Sequence, residues 1–247
     1  MLAKFRSLPW RYLAGLVWLS TIWPGPHALR AEDAPLHSAV EAARKTHEES
    51  QLQSLKTQLE QKVAQDPRDA ASYLDLARVN AYLADVYEMK KDKKPEAAAV
   101  DQAIEMVQRA IQLNDQSAGA HSLLADLYGR KIGLGTAMFT GPKFGPKAKA
   151  ENAKAMALDE KNPVVWASLG RQYLMAPKMF GGDVSKAIES FQKSLSLDAA
   201  QDETWVWLAK AFAKLGDKDK ARDAIQHALS LNPNSPWIKS SAASLDK

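Results

Sequence analysis

The sequence predicts an all-α chain, a solenoid of antiparallel helix pairs, and three observations carry that expectation. A set of large and small apolar residues recurs four times in one frame, which spans about 34 residues in the last unit and is stretched in the other three, the mark of a repeat architecture. Within each period the large residues fall at i, i+3 and i+7 of one helix, and the next helix carries small residues that let the two approach closely. Asn, Asp, Gly or Pro stands at the ends of the helical runs, where the chain must leave the helix. With 247 residues, 46% of them hydrophobic and 25% charged, the chain has material for a full core.

Residues 1–31 read as an address, apart from that core. A basic start (Lys4, Arg6, Arg11) precedes an apolar run over residues 12–23, then Pro24-Gly25-Pro26 and small residues, the three-part order of a secretory signal peptide. The run is shorter than the ~20 apolar residues a spanning helix needs. Cleavage is expected after Ala31, although Leu29 occupies a position where a small residue is preferred. The expected location is therefore periplasmic or secreted; the alternative is an uncleaved segment that attaches the chain to the membrane by its end. There is no cysteine, which excludes disulfides, zinc–thiolate sites and a bacterial lipoprotein terminus.

The formal charge of +4 comes from this segment. Lys4, Arg6, Arg11 and Arg30 lie where there is no acidic residue, and the remaining 29 basic side chains match 29 acidic ones. A nucleic-acid partner is not expected, because phosphate neutralisation calls for a basic excess on the folded part.

Residues 36–65 carry Leu52, Leu55, Leu59 and Val63 at helical spacing and predict one extra helix covering the first repeat. Four units follow over residues 66–234. The first is marked by Tyr73, Leu76 and Ala77, then Ala103, Val107 and Ala110; the second by His121, Leu124, Ala125 and Tyr128, then Ala148, Ala155 and Leu158. Trp166, Leu169, Gly170 and Tyr173, then Ala187, Phe191 and Ser194, mark the third. The fourth has Trp205, Leu208, Ala209, Phe212 and Gly216, then Ala221, Ile225, Ala228 and Pro233. Residues 235–247 predict a capping helix, with Trp237 and Ile238 over an apolar face that has no further repeat to cover it. The fourth unit resembles the tetratricopeptide-repeat (TPR) pattern, W-x2-L-G-x2-Y followed by A-x3-F-x2-A and a closing Pro, and the other units repeat its frame. This resemblance implies a right-handed superhelix whose concave groove binds a protein or peptide.

Three units are stretched between their two helices. The first breaks at Lys90-Lys91-Asp92-Lys93-Lys94, the second over residues 129–147 with their glycines and prolines, the third over residues 176–183. Insertions at one place in successive repeats emerge on one side of a solenoid. Phe139, Phe144, Met179 and Phe180 give these segments apolar material, either to cover one another or to form a loop lip beside the groove. The third stretch, Tyr173-Leu174-Met175-Ala176-Pro177 followed by Phe180-Gly181-Gly182-Asp183 and Lys186-Ala187, resembles a segment of exported bacterial TPR proteins, including the periplasmic T-component of TRAP-type transporters. It is similar also to the microtubule-dynamics regulator family of eukaryotes.

Carried over position by position, the TPR resemblance implies a groove lined by Arg78, Asp126, Arg130, Arg171, Met175, Lys210 and Lys214. Five of these seven are basic, which favours an acidic segment or a C-terminal carboxylate as ligand; the other reading is that they are solvated or paired with Asp126 and Glu203. Leu74 and Leu123 replace the polar residues of a chaperone-binding carboxylate clamp.

Nothing in the sequence predicts an enzyme. His27, His37, His47, His121 and His227 include no pair with metal-ligand spacing, and His121 occupies a core aromatic position of its repeat. Gly133-Leu134-Gly135 and Gly141-Pro142-Lys143 lack the order of a phosphate-binding loop. No cofactor or metal is expected. The function expected is a scaffold or adaptor holding a partner segment in the groove; the alternative is a periplasmic ligand-binding or delivery component beside a transporter, which needs an enclosed pocket beneath residues 129–147.

Overall fold

The computed structural model describes residues 34–245, so the signal-peptide expectation for residues 1–31 lies outside the described residues. Eleven α-helices and no strand are found among them: α1 (Ala34–Thr46), α2 (Glu49–Gln65), α3 (Ala70–Met89), α4 (Lys93–Leu113), α5 (Ala118–Leu134), α6 (Ala137–Leu158), α7 (Pro163–Met175), α8 (Val184–Leu197), α9 (Asp202–Leu215), α10 (Lys218–Leu231) and α11 (Pro236–Leu245). Helices α3–α4, α5–α6, α7–α8 and α9–α10 pack as antiparallel pairs, and α3, α5, α7 and α9 follow one another along the stack.

Side-chain caps set the starts of several of these helices. Asp69 accepts from the Ala71 and Ser72 amides, Ser117 from Ala120, Asn162 from Val164 ahead of Pro163, Asp183 from Ser185 and Lys186, and Asp217 from Lys220. Each satisfies a backbone donor that the first turn leaves without a partner. At the other end of α9, Gly216 takes φ 91°, the left-handed conformation that stops the helix.

Small residues sit where the paired helices touch. Ala103, Ala155, Ala187 and Ala228 are completely buried, and Gly170 lets the ring of Phe191, itself fully buried, lie against the α7 backbone. A Cβ on Gly170 would meet that ring at 2.6 Å. The leading aromatic of a unit has a second task that repeat spacing does not reveal. Trp166 Nε1 donates to the Glu160 carbonyl and Trp205 Nε1 to that of Ala199, in each case reaching back six residues to the preceding turn. His121 Nε2 donates likewise to the Asp115 carbonyl at 3.0 Å, so the imidazole does there what an indole does in the later units. Its Nδ1 lies 2.6 Å from Glu151 Oε2.

Two expected features differ. Residues 36–65 form two helices: the chain turns at His47, whose φ is 49°, between α1 and α2. The long segment over 129–147 is helical, with only Gly135 and Thr136 between α5 and α6. Pro142 and Pro146 lie inside α6, four residues apart and both exposed, so they share the solvent side of the helix. Each follows a glycine, Gly141 or Gly145, which has no Cβ to clash with the proline ring. Phe139 and Phe144 therefore stand on a helix and not in a loop, and Phe144 turns inward to stack on Tyr128 at 5.7 Å.

Gly170→Ala is expected to destabilise the fold by roughly 1–3 kcal/mol through overpacking, and Phe191→Ala by roughly 3–5 kcal/mol through the cavity it leaves. The double variant should lose less than the sum, because removing the ring removes the clash. Urea unfolding followed by circular dichroism at 222 nm, the helical band, measures all three.

Candidate partner-binding face

The first helices of the four units present one continuous wall, and their charged side chains reach from each helix to the next. Arg130 of α5 donates to Asp85 and to Glu88 of α3, the latter at 3.0 Å. Arg171 of α7 donates through Nε and Nη2 to the two oxygens of Asp126 on α5, a bidentate pair, and Ser168 Oγ donates to the same carboxylate at 2.8 Å. The Arg171 guanidinium also lies 6.0 Å from the Trp207 ring centre on α9. Arg78 donates to Asp75 within α3 at 2.8 Å, and Lys214 Nζ to the Leu174 carbonyl at 2.7 Å.

All seven expected groove residues stand on first helices, and six of them make the contacts along this wall. Met175 follows Arg171 by one turn on the same face of α7, at the place that Arg130 and Lys214 hold in their units, and ends that helix with 60% of its surface exposed. Of the five cations, Lys210 alone has no oxygen partner among the described residues. Its ammonium sits between the faces of Trp207 and Trp237, 4.4 and 5.0 Å from the ring centres. Burial lowers the pKa of Lys210 although Glu88 and Asp85, across the interior, oppose that shift. Burial alone would raise the Asp85 carboxyl, but Arg130 and then His47 hold it below its ordinary value.

The wall is not left bare. Helix α1 packs on α3 and reaches across to α9, held at both ends by its own side chains. His37 Nδ1 bonds to Asp75 on α3 at 2.9 Å. Seven residues on, two helical turns away on the same face, Arg44 Nη1 donates to Asp202 at 2.8 Å and to Glu203 at 2.9 Å, both on α9. Asn232, just past α10, donates through Nδ2 to the Lys45 carbonyl and to Asp202. The His47 ring stacks on Trp237 of α11 at 6.3 Å, with 11° between the planes. Burial works against the Arg44 charge, yet Glu203 and Asp202 keep its pKa above the usual value. For Asp202 burial again opposes ionisation, and Arg44 with Asn232 overrides it, leaving the carboxyl below its ordinary range.

Sequence reasoning placed the wall and missed its closure. Arg44, His47 and Trp237 belong to no repeat position, Asn232 is marked by the repeat only as the end of its helix, and partners 158 or 187 residues apart leave no periodic trace. Trp237, expected only as a cap, reaches across to His47 and Lys210, while Ile238 does the capping at 1% exposure. Among the described residues no group of three His, Asp or Glu is placed to hold a metal, and no helix is long and apolar enough to cross a membrane.

Helix pairs nested in this frame, with small residues at their contacts and aromatics at the start of each unit, define a tetratricopeptide-repeat solenoid. Solved structures agree on the fold: TTC0263, a thermophilic TPR protein of Thermus thermophilus, superposes with TM-score 0.66 at 19% identity over 87% of this chain and 98% of its own. MamA (TM-score 0.42, 18% identity, 78% of this chain and 93% of its own) and YrrB, described as a TPR protein with an unusual peptide-binding site (0.41, 12%, 85% and 91%), are more distant. The chain belongs to the family of regulator of microtubule dynamics proteins 1–3, whose family model matches residues 39–243. No curated protein matches it in sequence.

Removing Arg44 leaves the buried Asp202 without its guanidinium, so Arg44→Ala should destabilise by about 3 kcal/mol and raise the radius of gyration in small-angle scattering. The folded pKa of Asp202 lies below its unfolded value of about 3.9. Its contribution is therefore complete above that pH and is lost as the pH falls through the folded value. Asp202→Asn should flatten this acid limb in urea midpoints measured from neutral to strongly acid pH.

Proposed function

We propose that this protein is a non-enzymatic interaction scaffold that takes one segment of a partner protein along the inner wall of α3, α5, α7 and α9. The observation that carries the reading is α1 itself. A helix of 13 residues, about 20 Å long, is already seated there, with Val40 and Ala43 buried in the apolar core and with polar contacts at its ends. The wall is thereby suited to a helical segment, and α1 is the part of the chain that a partner would displace or lie beside. The charges along the wall are committed to fixed pairs between repeats, which is a structural use of charge.

Lys210 sets the preference for an acidic segment. Arg78, Arg130 and Arg171 already hold carboxylates, whereas the Lys210 ammonium rests against indole faces, which a carboxylate of the ligand would supplement. The periplasmic or secreted location rests on the order of residues 1–31 and is part of the same proposal. A ligand-delivery role beside a transporter needs an enclosed pocket beneath residues 129–147, and that segment is helix, divided between α5 and α6.

Affinity capture from the cell-envelope fraction tests the reading. Arg44→Ala should increase the partner recovered by loosening α1, Lys210→Met should reduce it, and Lys210→Arg should restore it. A captured set that is the same for all three variants would overturn the groove as the binding site.

A further inference from the structure

Single exposed apolar side chains are ordinary on a protein surface; a contiguous set asks for a cause. Among the described residues, nine large apolar side chains are exposed, and six of them lie where the first helix of a unit passes to the second. Met138 and Phe139 begin α6, Met175 ends α7, Met179 and Phe180 form the turn before α8, and Leu215 ends α9. These places recur along one edge of the stack, where the inner wall ends. Met179 is 81% exposed, Met138 77% and Phe139 75%, so they project and do not pack.

The third-unit turn holds its apolar pair outward by construction. The Gly182 amide donates to the Pro177 carbonyl and the Asp183 amide to that of Tyr173. A Cβ on Gly182 would fall 1.8 Å from the Ala176 oxygen, so the turn closes only around glycine. The sequence Met175 to Asp183 is thus a closed turn that presents Met179 and Phe180.

Around the second- and third-unit turns the charge has one sign, whereas the fourth-unit turn beside Leu215 carries Asp217 and Asp219. Residues 127–150 contain no acidic residue, and beyond Arg130 and Lys131, which are paired with carboxylates, they contain Lys143, Lys147 and Lys149; residues 172–182 contain only Lys178. Lys143, Lys147, Lys149 and Lys178 are exposed. Phe139, Lys143 and Lys147 follow at i, i+4 and i+8, one stripe of α6.

We propose that this edge rests on the surface of an anionic phospholipid bilayer, with Met138, Phe139, Met179 and Phe180 in the acyl boundary and the lysines at the headgroup phosphates. A partner helix would ask for a groove to receive it, and here knobs project from two neighbouring units. The cations that remain exposed are lysines, mobile point charges suited to a layer of phosphates more than to a single bidentate carboxylate. The contact is peripheral, since no described helix is long and apolar enough to span, and it is separate from any attachment through residues 1–31. It leaves the inner wall free, so it does not depend on the groove reading.

Co-sedimentation of the full chain with vesicles of phosphatidylcholine alone, and of phosphatidylcholine and phosphatidylglycerol in equal parts, tests it. The wild type should partition onto the anionic vesicles, less so as salt is raised. Phe139→Ser with Met179→Ser, and separately Lys149→Glu with Lys178→Glu, should each lower the partition coefficient about tenfold or more at unchanged melting temperature. Lys210→Met, which addresses the inner wall, should leave it unchanged. If both paired variants partition like the wild type, attachment belongs to another part of the chain and the proposal fails. It fails also if the wild type stays in solution with both vesicles while the Phe139→Ser, Met179→Ser variant loses a soluble protein partner.

Discussion

The Arg44 guanidinium joins the first helix of the stack to the last repeat, and the interior takes its character from that contact. A TPR array left to itself is one-dimensional: each unit buries its core only against its neighbours, and the two ends are independent. Here α1 turns back along the inner wall, and Arg44 meets Asp202 and Glu203 while Asn232 holds the Lys45 carbonyl. Once the ends are tied, His47, Trp237, Trp207 and Lys210 are brought into one cluster, and charges on α3 and α9 influence each other across a narrow space.

Enclosure changes what the charges of the wall do. In an open groove a row of arginines would be an electrostatic surface awaiting a ligand. In this protein Arg130 and Arg171 each cross to a carboxylate on the preceding first helix, so the row becomes a ladder that fixes the angle between repeats. Such pairs set geometry more than they add stability, because removing charges from water offsets much of their attraction. The wall therefore recognises through shape and through the few groups outside the ladder, with Lys210 foremost.

Much of the fold was legible because repeats write their packing into the sequence at fixed offsets. Ala221, Ala228, Phe191 and Gly170 could be placed from spacing alone, and all four lie at buried contacts between paired helices. The reading of residues 129–147 went astray where breakers were taken singly: Gly141-Pro142 and Gly145-Pro146 end a helix in isolation, but at four-residue spacing they share the exposed face of α6. For the candidate site, register placed Arg78, Asp126, Arg130, Arg171, Lys210 and Lys214 on one wall. The occupant of that wall was illegible, since α1 belongs to no repeat and the partners of Arg44 follow it by more than 150 residues.

The contact between the two ends is the most direct object of measurement, and the absence of cysteine makes it accessible. Spin labels introduced at Lys45→Cys and Asn234→Cys, both exposed positions, report the separation of α1 from the end of α10 by double electron–electron resonance. A closed solenoid gives one short, narrow distance distribution that broadens and lengthens when Arg44 is also changed to Ala. A broad, long distribution in the otherwise unchanged chain, insensitive to Arg44, would contradict it.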